Sequence, residues 1–88
     1  MNAHLPLEHR LALITGATGA IGAATAALLA ERGARIVAVD RPGTDFAALE
    51  AALGAALVAV EADVTDERSV QAYVAAALAV TGRIDVFF

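Results

Sequence analysis

Lysine, cysteine and tryptophan are all absent from this 88-residue chain, proline occurs twice and tyrosine once. Without cysteine there is no disulfide framework, thiol nucleophile or Cys-ligated metal site. All six basic residues are arginines, and the net charge of −4 argues against nucleic acid, which needs a basic face. Histidine is scarce too. His4 and His9 lie five residues apart in a polar lead-in, a spacing unlike a metal pair, and both read as solvated surface. Long apolar runs are missing: none reaches the ~18 residues of a membrane helix. The longest candidate, Ala23 to Ala30, is interrupted by Thr25 and closed by Glu31 and Arg32. The first ten residues lack the basic start and apolar stretch of a secretory signal, so a soluble cytoplasmic protein is expected. Aromatic residues make up 5% while hydrophobic residues make up 59%, much of it alanine. Alanine buries little area, so a core must come from Leu, Ile, Val and the three Phe. Residues 1–88 hold at most one small domain, and no repeat or linker divides them.

What is present is an alternation of short apolar runs with helical patterns, the mark of βαβ units and a parallel sheet. Strands are expected at Leu11 to Thr15, Arg35 to Val39, Leu57 to Glu61 and Ile84 to Phe88. They are apolar throughout rather than alternating, as strands covered on both faces are. A first helix is expected from Ile21 to Arg32, with Ala24 and Leu28 toward the sheet and Gly33 capping its end. A second runs from about Asp45 to Leu53 and stops at Gly54. A third begins at Thr65 or Asp66 and ends before Gly82, with Val70, Val74, Ala77 and Leu78 as its buried stripe. With right-handed crossovers the strand order is 3-2-1-4, a Rossmann-type doubly wound α/β sheet. A ligand crevice then opens at the carboxyl ends of strands one and four.

Residues Thr15 to Gly22, TGATGAIG, stand at that switch point, between the first strand and the first helix. Glycines there let the backbone turn and approach a ligand, and the first-turn N–H groups with the helix dipole favour an anion. A phosphate seat follows, suited to the pyrophosphate of a dinucleotide. A glycine-rich loop alone is a weak signal, but 18 residues beyond Gly22 an acid, Asp40, ends RIVAVD. A carboxylate there can accept hydrogen bonds from both ribose hydroxyls of an adenosine and repels a 2′-phosphate, which favours NAD over NADP. Arg41 pulls the other way, because a guanidinium can pair with phosphate; its competing reading is a surface residue or a stacking partner for adenine. The competing, less favoured reading of Asp40 is a turn-initiating Asp before Pro42-Gly43. A Walker A loop is disfavoured, since Ala23-Ala24 follows Gly22 where Lys-Ser/Thr is required.

Taken together, LALITGATGAIG, VAVDR, ADVTDERSV and GRIDVFF resemble the N-terminal part of a short-chain dehydrogenase/reductase, over about residues 9 to 88. The resemblance implies that Gly16 and Gly22 are the outer glycines of the cofactor loop. It places Thr18, Gly19, Ala20 and Ile21 beside the pyrophosphate and Asp40 on the ribose. Asp63 is matched to the carboxylate that takes the adenine amino group, with Val64 packing on that ring; the bland reading of Asp63 is a turn or capping residue. The loop satisfies both TGxxx(G/A)xG of the compact branch and TGxxGxxG of the extended branch, which includes nucleotide-sugar epimerases. The long third helix leading into GRIDVFF resembles the compact branch.

That family's acid/base tyrosine, followed four residues later by a lysine, has no counterpart here. The one tyrosine, Tyr73, is followed at that distance by Ala77, and reads as packing; Ser69, one turn earlier, reads as exposed. No catalytic and no metal-ligating residue is assigned. The chain is therefore read as the cofactor-binding N-terminal part of a longer NAD-dependent oxidoreductase acting on an alcohol or carbonyl, itself inactive. The resemblance implies a homodimeric or homotetrameric parent. A different class, a non-catalytic dinucleotide-binding or redox-sensing module, uses the same residues and stays open. Val86, Phe87 and Phe88 on an unpaired edge strand are expected to make the isolated chain marginal or associative.

Overall fold

The computed structural model describes residues 6–88. Four parallel strands, β1 (Leu11–Thr15), β2 (Arg35–Asp40), β3 (Leu57–Glu61) and β4 (Val86–Phe87), are ordered β3-β2-β1-β4. They alternate with helices α1 (Ala20–Glu31), α2 (Ala47–Leu53) and α3 (Glu67–Thr81), and a short 3-10 turn, Gly54–Ala56, precedes β3. This is the expected doubly wound sheet. The register pairs Leu13 with Val37 on one side and with Phe87 on the other, so β1 is central.

Alternation along β1 and β2 divides the core between two faces. Ala12, Ile14, Ile36 and Ala38 point to α1 and α2, where Ala17, Ala26, Phe46 and Leu49 complete one cluster. Leu11, Leu13, Val37 and Val39 point to α3 and meet Tyr73 and Ala77. Tyr73 is thus a packing residue, as expected.

The face of α1 differs from expectation. Gly22 and Ala26 are its buried positions, while Ala24 is exposed and Leu28 is 48% exposed. The cause is at the helix start. A Cβ on Gly22 would stand 2.5 Å from the Gly16 carbonyl oxygen and 3.0 Å from Ala17 Cα. At its start the helix sits so close to the loop that only glycine fits underneath; Ala26 follows on the buried face, half-buried Leu29 packs on the core, and Leu28 is turned outward. In α3 the buried stripe is centred on Tyr73 and Ala77, flanked by half-buried Val70 and Val74, and Leu78 is exposed. Ser69 is half-buried rather than exposed. The ends of α3 follow its caps: Asp66 accepts from the Arg68 N–H at 2.9 Å, and Gly82, at φ +85°, closes the last turn.

Strand β4 is shorter than expected. Before it, Asp85 already meets Leu11 twice, its N–H donating to the Leu11 carbonyl and its carboxylate taking the Leu11 N–H, each at 2.9 Å, and regular strand begins only at Val86. Its outer edge is unpaired among the described residues, and Phe87 and Phe88 are both exposed there. No helix among the described residues is long and apolar enough to cross a membrane.

Candidate functional site

The carboxyl ends of β1, β2 and β3 form one rim. From β1 the chain enters the glycine loop, where Gly16 takes φ +62° with open space where a Cβ would stand. Ala17 then drops into the core and its N–H donates to the Val39 carbonyl at 3.3 Å, binding the loop to β2. Gly19 is the N-cap of α1 and provides no side-chain cap, and the first turn contains no acid. The first-turn N–H donors of an α-helix have no intrahelical partners, so this end is electropositive. Gly19, Ala20 and Ile21 are exposed on it, Ile21 by 74%. The arrangement fits an anionic group: backbone donors, no competing carboxylate, and glycines where side chains would intrude.

Asp40 ends β2 and, at 8% exposure, is the one buried polar side chain among the described residues. Its Oδ2 accepts two hydrogen bonds from Thr18, from the backbone N–H at 3.0 Å and from Oγ1 at 2.6 Å. Its Oδ1 accepts from the Arg41 N–H at 2.9 Å. The Thr18 hydroxyl bond holds the carboxyl below its ordinary value of 3.8; burial opposes this, and the Arg41 and Thr18 backbone N–H groups with the Arg41 charge assist. A carboxylate offers about four acceptor positions. Three are taken, so one remains, on Oδ1. That is narrower than the expected pair of ribose contacts.

Arg41 stands at the rim with its guanidinium exposed and its Nε 3.9 Å from Asp40 Oδ1, beyond hydrogen-bond range. It opens a turn through Pro42 and Gly43, with Gly43 at φ +83° and the Thr44 N–H donating to the Arg41 carbonyl at 3.1 Å. Proline followed by a positive-φ glycine is the type II signature. Glu61 holds this turn by accepting from the Gly43 N–H, and its register partner is Asp40. The rim therefore has two neighbouring carboxylates. Glu61 escaped the sequence reading, although an acid closing both RIVAVD and LVAVE was the available signal.

Asp63 and Val64 follow β3, both exposed. Asp63 Oδ1 accepts from the Thr65 N–H at 2.9 Å and from Thr65 Oγ1 at 2.6 Å, a local turn, and Thr65 holds the carboxyl below its ordinary value. Both of these bonds fall on Oδ1, so Oδ2 takes neither of them. The loop, Asp40, Arg41, Asp63 and Val64 thus come to one end of the sheet. Behind the rim an apolar groove of about 190 Å³ runs between α1 and α2, lined by Ala23, Ala27, Leu49 and Leu53, with Thr18 also on its wall. His4 lies outside the described residues, His9 is exposed, and the described residues contain no group of three or more metal-ligating side chains.

Comparison with known proteins agrees with this geometry. No curated protein matches the chain. Among solved structures it is similar to a 3-ketoacyl-(acyl-carrier-protein) reductase from Brucella melitensis complexed with NADH, at 40% identity and TM-score 0.83, covering 92% of this chain and 34% of that one. Levodione reductase is 40% identical with TM-score 0.85, covering 93% and 34%. A doubly substituted short-chain dehydrogenase/reductase from Serratia marcescens is 30% identical with TM-score 0.83, covering 93% and 35%. The chain thus spans about a third of the length of each of these structures. The profile of the short chain dehydrogenases matches residues 10–88, nearly all of the sequence, and the chain belongs to that family.

Proposed function

We propose that this chain is the cofactor-binding part of an oxidoreductase that prefers NAD(H) to NADP(H) and acts on an alcohol or carbonyl compound. The observation that carries the cofactor choice is Asp40: a buried, ionised carboxylate at the end of β2 with one acceptor position left and no guanidinium within hydrogen-bond range. A ribose hydroxyl can donate to Oδ1 there. A 2′-phosphate brings about −1.5 to −2 charges to a rim that already has Asp40 and Glu61.

The bound nicotinamide supplies or accepts a hydride. The residues of this chain bind and orient. Backbone donors from Ala20 to Gly22 hold the pyrophosphate, the Gly19 N–H being taken by the Gly16 carbonyl at 3.1 Å, and the positive φ of Gly16 keeps the loop clear of it. Asp63 Oδ2 accepts from the adenine amino group, and Val64 lies against the ring. Tyr73 is enclosed between α3 and the sheet and takes no part in chemistry. The proton-transfer groups, a serine and a tyrosine with its lysine, then belong to sequence outside residues 1–88. The same reading extends to a cytoplasmic homodimer or homotetramer; family membership supports it, and light scattering on the complete protein tests it.

Calorimetric titration of the complete protein with NAD and NADP tests the cofactor choice. NAD should bind at least about tenfold more tightly, and Asp40→Ala should remove most of that ratio by weakening NAD, a charge-assisted hydrogen bond being worth about 1.5–3 kcal/mol. Equal affinities in the unaltered chain, or equal losses in the variant, would overturn the assignment.

A further inference from the structure

We propose that Thr18 is a positioning residue for Asp40, and that it sets the preference for NAD over NADP from within the glycine loop. The inference rests on the reading of Asp40 as the ribose acceptor.

Three observations carry it. Thr18 places its backbone N–H and its Oγ1 on the same carboxylate oxygen, at 3.0 and 2.6 Å, across 22 residues of sequence. A hydroxyl has a single proton to donate. Spent on Asp40, that proton is not available to a phosphate oxygen, which can only accept. The resemblance implied that Thr18 lies beside the pyrophosphate, where its hydroxyl could donate; the geometry directs the hydroxyl to the carboxylate instead.

The consequence for Asp40 is orientation. Oδ2 is saturated by Thr18 and faces the loop, so Oδ1, with its one remaining acceptor position, is the oxygen left to the ribose. The charge is secured chiefly by the same bonds, with Arg41 Nε 3.9 Å away. Threonine suits the task better than serine. Its branched Cβ restricts the side-chain rotamer, and Thr18 also contributes to the wall of the groove between α1 and α2.

The test compares Thr18→Val, Thr18→Ser and Asp40→Asn in the complete protein. NAD and NADP affinities are measured by calorimetry, and the Asp40 carboxyl titration is followed by ¹³C NMR. Thr18→Val should weaken NAD by about five- to tenfold and NADP by less than about twofold, while the Asp40 titration moves up toward the ordinary carboxylate value. Thr18→Ser should restore the ratio to within about twofold. In an Asp40→Asn background, Thr18→Val should leave the ratio where Asp40→Asn put it. If Val disturbs folding, Thr18→Ala replaces it.

Equal losses for NAD and NADP would make Thr18 a pyrophosphate donor and overturn the proposal. A folded Thr18→Val or Thr18→Ala variant with an unchanged ratio would overturn it as well. If Asp40→Asn itself leaves the ratio intact, the reading of Asp40 fails first. If Asp40→Asn collapses the ratio and Thr18→Val does not, the failure is that of Thr18 alone.

Discussion

The two ends of β1 use the same device, a carboxylate that binds backbone across a long stretch of sequence, and use it to opposite ends. At the entrance of β1, Asp85 takes the Leu11 N–H on Oδ2, and Arg10 Nη1 and Arg83 Nε both stand 3.1 Å from its Oδ1. At the exit, Asp40 takes the Thr18 N–H and hydroxyl and the Arg41 N–H, with no guanidinium closer than 3.9 Å. Asp85 is neutralised by two cations and its acceptor positions point into the chain's own structure. Asp40 is held by neutral donors, so its charge remains for something else. A carboxylate that only fastens structure is paired with cations; one that reads a ligand is fixed by hydrogen bonds that leave its charge intact.

Substitutions at the two ends should therefore separate stability from binding. The largest effect belongs to Gly22→Ala at the exit. The new methyl would meet the Gly16 carbonyl at 2.5 Å, and that neighbour is backbone that cannot rotate away. Unfolding by urea should show a loss of about 1–3 kcal/mol, and NAD and NADP should weaken together because α1 is pushed off its loop. A stable variant with unaltered binding would mean that the close approach of α1 is dispensable. Next comes Asp85→Ala. It should lower the urea midpoint while leaving NAD affinity within about twofold, the reverse of the pattern expected for Asp40→Ala. A loss of NAD affinity in Asp85→Ala comparable with that of Asp40→Ala would erase the distinction between the ends.

Smaller effects sharpen it further. Both carboxyls are shifted below their ordinary value of 3.8 in the folded chain, Asp85 chiefly by the Leu11 N–H and Asp40 chiefly by the Thr18 hydroxyl. Near and below that value the unfolded chain binds more protons than the folded one, so stability rises with pH. Their contribution is complete above the ordinary value and is lost as pH falls through the lowered ones. Thr18→Val should flatten this acid limb, which urea titration between pH 2 and 5 would measure. The smallest effect is that of salt. The Asp85 cations are half-exposed and screened, so 1 M NaCl should lower the urea midpoint only slightly at the entrance and leave the Asp40–Thr18 bonds unchanged.

Strands, their order and the position of the glycine loop were legible because apolar runs and glycine punctuation are local signals. The orientation of α1 was not. In a helix made mostly of alanine, one face is scarcely more apolar than another, so periodicity did not separate the face of Leu28 from that of Leu29. The deciding fact was the fit at Gly22, a contact with Gly16 that sequence periodicity does not register. Asp40 was legible as an acid ending β2. Its partner was not, because Thr18 lies 22 residues away and reaches it only through the register that sets β1 beside β2. Asp63 forms the local turn with Thr65 that its bland reading expected, and it does so on the rim beside Val64. At β4, Asp85 bonds Leu11 with both its N–H and its carboxylate, and the carboxylate takes the Leu11 N–H that a longer strand would have used.

The central place of β1 also orders the assembly of the fold in time. Leu13 meets Val37 after 24 intervening steps of chain and meets Phe87 only after 74. Loop closure makes the nearer pairing the earlier one. As the chain emerges from its amino end, β1, β2 and β3 can close on one another while the far edge of β1 still waits for its second neighbour. During that interval Ala12 and Leu13 offer unpaired backbone to any passing strand. The strand that carries the cofactor loop is thus the last to be completed, and a nascent chain stalled before β4 would hold its binding loop on an open, adhesive edge.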